Sequence, residues 1–436
     1  MRYLAIDLGS TFTKTAILDT ERMSYTNESS VSAPGSLFQS ETRYEIDADK
    51  YFHHVKSIID TQLLQFAGIQ GILFSTQMHG FVLTARNGLP ETSVISWRDR
   101  ASLEMASDRK TWLEVLSDLL PDYHELHTGV PLKNNLPLSN LFPRVKSGEI
   151  NLDGRLFHTL GGMIIYRLCG RHVCHITNAA PSGMVNLLTG KWHSAVIERA
   201  GFSSMEFPEI FSSLDACGTY RLCGREYAVY PDIGDHQACV IGSRCLPQKD
   251  LNVNIGTAGL IGVIVDEYVP GSYENRPYFG GRFLRTVSGL AGGYNLERMA
   301  KVIQKNIYGI SCDRIVPEVW KQMTSVSPCS KKIPLDLDSW LAAIERKDEM
   351  GTGCPPEEWI DALYREIAVQ YHQAACRLGI RIERLVYSGG CILKNPALRH
   401  RLEVQMEHPG AILTPDHNAA LTGLLMLAAE RDRSQE

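Results

Sequence analysis

A chain of 436 residues is too long for one ordinary hydrophobic core, so two domains are expected. Its 44% hydrophobic and 21% charged residues match a soluble globular protein, and a net charge of -5 argues against a nucleic-acid binder. The 11 cysteines are odd in number and form no Cys-x-x-Cys pair, which fits free thiols in a reducing cytoplasm rather than a disulfide framework.

Residues 3–18 are an apolar run, a Gly9-Ser10 turn and a second apolar run, which predicts a β-hairpin at the start of the chain with no signal peptide before it. A polar segment, 21–45, follows. Apolar residues at helical spacing predict a helix over 49–66. Short strands are expected at 71–75, 81–83 and 94–96, with Asn87-Gly88 as a hairpin turn between the last two. Residues 161–170 and 194–201 read as helices, and the apolar stretch 160–169 is too short for a membrane span and contains Arg167. A polar connection near 244–250 marks the expected boundary, giving domains 1–245 and 246–436. The second half repeats the first. Strands are expected over 251–266, then a Gly- and Tyr-rich loop, a strand at 283–287 and helices at 293–306 and 356–378. A strand at 385–387 ends in Ser388-Gly389-Gly390, helices follow at 396–406 and 417–429, and the polar tail 431–436 is expected to fray. Strands alternating with helices indicate an α/β fold.

The two predicted hairpins carry the first chemical signal. Asp7-Leu8-Gly9-Ser10 lines up with Asn254-Ile255-Gly256-Thr257. Gly-hydroxyl turns present backbone N–H groups and hydroxyls to a phosphate, so two such turns point to two domains gripping one polyphosphate. Asp7, at a strand end before the first turn, is placed to hold Mg²⁺, although a turn-shaping Asp is the commoner arrangement. Asp235 stands before a small-residue helix. It reads either as an N-cap or as a general base taking a hydroxyl proton in phosphoryl transfer. Gln77-Met78-His79-Gly80 and Trp97-Arg98-Asp99 each follow a strand, as small-ligand contacts often do; a salt-bridged helix start with a packed Trp is the plainer reading of the second. Cys169, His172, Cys174 and His175 lie close together, but no second ligand pair follows at metal-finger spacing.

In order along the chain these segments resemble the FGGY family of carbohydrate kinases, within the actin-like ATPase superfamily. Asp7–Thr11 is similar to the first phosphate motif, Gln77–Gly80 to the sugar motif of xylulokinases and sedoheptulokinases, and Trp97-Arg98-Asp99 to the family's Trp-x-Asp. Gly234–Ala238 resembles the catalytic segment, Gly256-Thr257 the second phosphate motif, Ser388-Gly389-Gly390 with Asn395-Pro396 the adenosine motif, and Asn418–Gly423 the last helix. The resemblance implies two actin-like (ribonuclease H-like) domains with a cleft between them. It implies Asp235 as base, Asp7 on Mg²⁺, and Gly9, Ser10, Thr11, Lys14, Gly256, Thr257, Gly389, Gly390 and Asn395 on ATP. It further implies that Gln77, Met78, His79, Trp97, Asp99 and His236 contact a sugar. Glycerol kinases carry Arg-Glu where Gln77–Gly80 stands, xylulokinases have Asn where His236 follows the base, and Asn178-Ala179-Ala180 is closer to the sedoheptulokinase pattern. The expected substrate is therefore a ketose or related polyol, with sedoheptulose or xylulose favoured. Neither nucleic acid nor membrane is an expected partner, and a homodimer is allowed. A nucleotide-switched ATPase and a sugar-sensing pseudokinase are the alternative classes.

Overall fold

The computed structural model describes residues 1–310, 312, 314–329, 355–413 and 418–435. They form two compact units. The first comprises Met1–Gly242, Asn275–Phe283 and His417–Glu436; the second comprises Ser243–Glu274 and Leu284–Asp416. The strand Glu274–Pro277 carries the chain from the second unit back into the first.

The sheet of the first unit is ordered Gly218–Leu222, Arg225–Val229, Ile69–Thr76, Arg2–Leu8, Phe12–Asp19, Ser24–Ser32, and the short strand Ile233–Gly234 also pairs with Ile69–Thr76. Arg2–Leu8 and Phe12–Asp19 are the expected hairpin, in antiparallel register from Arg2↔Asp19 to Leu8↔Thr13. Arg2–Leu8 reads as a continuous apolar run because both its faces are covered. On one face lies the helix Ala48–Gln65, whose Asp47 N-cap accepts from the Lys50 amide and whose buried Tyr51, Phe52, Val55, Ile59 and Leu63 recur at helical spacing. On the other, Tyr3, Ala5, Ala16 and Leu18 share a core with Ala238, Leu421, Leu424 and Leu427.

The polar segment 21–45 folds into strands Ser24–Ser32, Phe38–Gln39 and Tyr44–Ile46, a strand content that its weak apolar pattern did not announce. Tyr44–Ile46 joins a second sheet ordered Leu156–Thr159, Phe81–Thr84, Val94–Ile95, Tyr44–Ile46, Phe38–Gln39. The turn at Asn87-Gly88 forms as expected, with Gly88 at φ 82°. The tail corrects the sequence reading: instead of fraying, the last helix runs Ala419–Gln435. Asp432, 7% exposed, accepts hydrogen bonds from the Tyr3 hydroxyl (2.6 Å) and the Thr20 hydroxyl (2.7 Å). Polarity misled there because the polar side chains of the last turns are tied to the first hairpin. The expected start of this helix at His417 lies outside the described residues.

In the second unit the strands run Phe283–Leu290, Gly259–Val265, Asp250–Ile255, Arg384–Ser388, Gly410–Ala411. Asp250–Ile255 pairs antiparallel with Gly259–Val265 and parallel with Arg384–Ser388, where Asn254 faces Ser388. The helices Gly293–Tyr308, Pro317–Ser325, Pro356–Arg377, Gly390–Leu393 and Pro396–Met406 complete it among the described residues. No described helix is long and apolar enough to cross a membrane.

Candidate active site

Three parallel strand ends converge in the first unit. Asp7 is in register with Ser75, and Ser75 with Ile233. The chain leaves these strands at Gly9, Gln77 and Asp235, so one sheet edge gathers the first turn, the Gln77–Gly80 segment and the head of the helix Asp235–Gly242. Carboxyl ends of parallel strands are where α/β sheets build their sites.

Asp7 is 8% exposed and accepts from the Ser75 hydroxyl at 2.9 Å. Burial pushes its carboxyl up, against the Lys14 ammonium, which faces it across the hairpin, and the Ser75 hydroxyl, which lower it. Asp235 is half-buried, and burial pushes its carboxyl up to about 7. The charge of Asp7 adds to that rise, while the His236 amide, which donates to Asp235 Oδ1 at 2.8 Å, and the Arg276 guanidinium oppose it. A carboxylate with a value near neutrality has the poise of a general base. The Asp7 carboxylate, at a strand end close enough for its charge to raise Asp235, is a hard oxygen donor of the kind a divalent cation takes.

The helix bearing Asp235 is held rigidly. Gly242 lies against the backbone of Ala419, and Gly423 against that of Ala238, so close that a Cβ on either glycine would collide. Behind the turn, the fully buried Asp232 accepts from the Thr159 hydroxyl (2.8 Å), the His175 amide (3.0 Å) and the Asn178 amide group (2.9 Å). Asn178 also donates to the Thr76 hydroxyl at 2.7 Å, and the Gly234 amide donates to the Thr177 hydroxyl at 2.9 Å. The turn before Asp235 is thus tied to the segment 175–178 and to the strand end at Thr76. Burial moves the Asp232 carboxyl up to about 7 against those donors.

The other sequence-predicted residues of this unit divide by environment. Gly9 makes a tight turn, its amide donating to the Phe12 carbonyl at 3.1 Å, with Ser10 half-buried and Thr11 exposed. Gln77 and Met78 are nearly buried. His79 is half-buried at φ 66°, a left-handed conformation that costs a side-chain-bearing residue free energy and tends to persist at functional positions. Trp97 is half-buried, with the Arg98 guanidinium 5.4 Å from its ring. Asp99 is fully buried, and both its oxygens are taken: Oδ1 by the Ala101 amide and Arg144, Oδ2 by the Tyr44 amide and Arg144. Arg144, also fully buried, bonds Glu45 as well at 2.8 Å. This bidentate pair fixes the turn that carries Trp97 after the strand Val94–Ile95.

In the second unit, Gly256-Thr257 forms the turn of the second hairpin. Its carbonyls accept the Gly293 and Tyr294 amides at 2.9 and 3.0 Å, which seats the head of helix Gly293–Tyr308 on the turn. Gly389 sits at φ 91° where a Cβ would meet the Ile255 carbonyl at 2.7 Å, so the end of Arg384–Ser388 lies directly against the turn's strand. Gly390 is exposed, and a Cβ there would meet nothing. Asn395 caps helix Pro396–Met406, accepting from the Leu398 amide at 3.0 Å and donating to the Tyr364 hydroxyl at 2.8 Å. The structure therefore gathers Asp7, Gly9, Gln77, Asp235 and His236 in one unit and Gly256, Thr257, Gly389 and Gly390 in the other.

Sequence reasoning missed Arg144, Arg276, Asp232's hydrogen-bond set and Tyr51. Tyr51 is a fully buried helix residue whose hydroxyl is raised by burial, lowered by Gln77 and raised by Asp7. Only its place on the apolar face of a helix was legible, and that predicts packing, not a hydroxyl beside the site. Among the described residues no group of three or more His, Cys, Asp or Glu is arranged as a metal site.

The comparisons agree with this architecture. The model of the FGGY family of carbohydrate kinases, N-terminal domain, matches residues 2–226. The chain is 27% identical over 217 residues to a glycerol kinase of Thermococcus onnurineus, covering 48% of this chain and 43% of that protein. It is 25% identical over 280 residues to a gluconokinase of Bacillus licheniformis, covering 61% and 52%. The chain spans about half the length of the curated relatives it matches. The fold is similar to that of a gluconate kinase from Lactobacillus acidophilus (TM-score 0.79, 17% identity, covering 100% of this chain and 90% of that one). It is equally similar to a ligand-bound xylulose kinase from Lactobacillus acidophilus (TM-score 0.79, 18% identity, 100% and 90%).

Proposed function

Because the chain belongs to the FGGY family of carbohydrate kinases, we propose that it transfers the γ-phosphoryl group of ATP to a hydroxyl of a ketose or related polyol, with sedoheptulose or xylulose favoured. The observation that carries this reading is the Asp235 carboxyl, raised to about 7 at the head of a helix and beside a second raised carboxyl, Asp7.

Asp235 accepts the proton of the sugar hydroxyl as its oxygen attacks phosphorus. Phosphoryl transfer needs little covalent help from a protein, so positioning and charge do most of the remaining work. Gln77, Met78, His79, Trp97 and His236 orient the sugar. Asp99 takes a positioning part, since its oxygens are occupied by Arg144 and backbone amides. The turn Gly9-Ser10-Thr11, with Lys14, and the turn Gly256-Thr257 offer amides, hydroxyls and an ammonium to phosphates. Gly390 leaves backbone open to a flat base, Gly389 seats the loop against the Ile255 backbone, and Asn395 shapes the helix start behind them. The Asp7 carboxylate suits Mg²⁺, which when bound offsets negative charge on the phosphates. In this reading residues 1–245 supply the sugar contacts, the base and the first phosphate turn, and residues 246–436 the remaining nucleotide contacts.

The substrate class rests on Gln77-Met78-His79-Gly80 and on the strained backbone of His79. The glycerol kinases, gluconokinase and xylulose kinase named above are too distant to fix it. A coupled assay of ADP release over ketoses, aldonates and polyols tests the proposal. Turnover that requires one ketose supports it. Turnover with glycerol or gluconate alone overturns the substrate class, and ATP hydrolysis indifferent to every sugar overturns the kinase reading.

A further inference from the structure

Arg276 lies on the strand Glu274–Pro277, inside the stretch 271–281 that the sequence pattern reads only as a Gly- and Tyr-rich loop. It is 2% exposed, and its Nη1 is 3.1 Å from Nδ1 of His236, itself 3% exposed. The next residue of each element also touches: Gln237 Nε2 donates to the Pro277 carbonyl at 3.2 Å. The strand is held in turn by the Asn275 amide, which donates to the Gly129 carbonyl at 2.8 Å.

A guanidinium has five N–H donors and no acceptor. A hydrogen bond between Arg276 and Nδ1 of His236 therefore has one polarity: Nδ1 accepts. With its lone pair so used, the ring is neutral and carries its proton on Nε2. Which nitrogen of an imidazole is protonated is set by the bond the other makes. Arg276 also lies near enough to Asp235 for its charge to lower that carboxyl.

We propose that Arg276 is a positioning residue for sugar selection: it locks His236 in the Nε2–H tautomer, so the ring meets a sugar hydroxyl as a donor, one residue from Asp235. This rests on the sugar-binding role proposed above for His236. A donor fixed at that point favours a substrate that offers an oxygen lone pair there, whether carbonyl or hydroxyl. It also leaves the carboxylate of Asp235 as the acceptor for the hydroxyl proton, so donor and acceptor do not exchange roles.

The test reads the tautomer directly and needs no turnover. Long-range ¹H–¹⁵N spectra of ¹⁵N-histidine-labelled full chain resolve the 14 histidines, and His236→Gln identifies the signal of interest. The expected wild-type pattern is an unprotonated Nδ1 and a protonated Nε2. In Arg276→Met that pattern is lost, and the sugar KM rises about tenfold, the cost of about one charge-assisted hydrogen bond, while kcat moves less. Arg276→Lys, which keeps a cationic donor, restores the pattern and most of the KM. If the Met variant does not fold, Arg276→Gln replaces it, with the same shift expected in weaker form. A wild-type His236 protonated on Nδ1 overturns the proposal. So does an Arg276 variant that folds with tautomer and KM unchanged. The Nε2–H pattern, lost in Arg276→Met in a protein that turns over no sugar, supports the lock while overturning the kinase reading, so the two failures are distinct.

Discussion

The two units repeat one strand plan and end it in different chemistry. In the first, the hairpin Arg2–Leu8/Phe12–Asp19 has Ile69–Thr76 parallel on one side, then Arg225–Val229, and Ser24–Ser32 on the other. In the second, the hairpin Asp250–Ile255/Gly259–Val265 has Arg384–Ser388 parallel on one side, then Gly410–Ala411, and Phe283–Leu290 on the other. The apolar cores that specify the strands are interchangeable in kind. The strand ends are not. The first sheet ends in two desolvated carboxyls, Asp7 and Asp235, and the Gln77 amide. The second ends in Gly256-Thr257 and Ser388-Gly389, uncharged, with backbone brought close to backbone. One scaffold thus carries a carboxyl edge and a backbone-presenting edge, and the proposal that the first handles the proton rests on that division.

The sharpest way to break the comparison is to neutralise the charged edge. Asp235→Asn keeps the shape of the side chain and caps a helix about as well, so a mere cap leaves activity near that of the parent. As the base, its loss lowers kcat by roughly 10²–10⁴-fold. Stability should move the other way. A carboxyl whose folded value is raised contributes stability that is present below its unfolded value and lost as pH rises through about 7. Asp235→Asn therefore melts above the parent at pH 8, by about 1–3 kcal/mol of stability, and the gap closes toward pH 4.

Next in size is the buried Arg144–Asp99 pair. Arg144→Met leaves Asp99 and Glu45 without their cation and should cost about 3–5 kcal/mol of unfolding free energy, read by denaturant titration. In the second unit the equivalent stress falls on backbone. Gly389→Ala meets both an unfavourable φ and the Ile255 carbonyl and should cost about 2–4 kcal/mol, whereas Gly256→Ala has open space and should stay within about 0.5 kcal/mol of the parent. Equal melting of the two glycine variants would show that the tight backbone contact is not what shapes this edge. A smaller effect than at Gly389 is expected at His79. His79→Ala should raise the sugar KM about tenfold with the ATP KM nearly unchanged; an unaltered sugar KM makes His79 a loop residue only.

Much of the division was legible before any coordinates. The two hairpins show because an apolar run, a Gly-hydroxyl turn and another apolar run are local patterns. Asp235 shows because a carboxylate before a small-residue helix is one too. The supports do not show. Arg144 is 45 positions from Asp99 and Arg276 is 40 from His236, and no spacing links partners that meet only through tertiary packing. The Trp97–Asp99 segment read either as a ligand contact or as a salt-bridged helix start, and the four donors that settle Asp99 come from three separate segments. The tail looked frayed because polarity was read without its partners Tyr3 and Thr20, more than 400 positions away.

The pH dependence of kcat/KM, measured on wild type and Asp235→Asn between about pH 5 and 9 with the confirmed sugar, tests the proton-handling edge most directly. The account predicts that wild-type kcat/KM falls about tenfold per pH unit below a value of about 7, the raised value of Asp235. The residual rate of Asp235→Asn should be flat across the same window. An acidic limb that survives unchanged in Asp235→Asn would place the proton acceptor elsewhere and contradict the account.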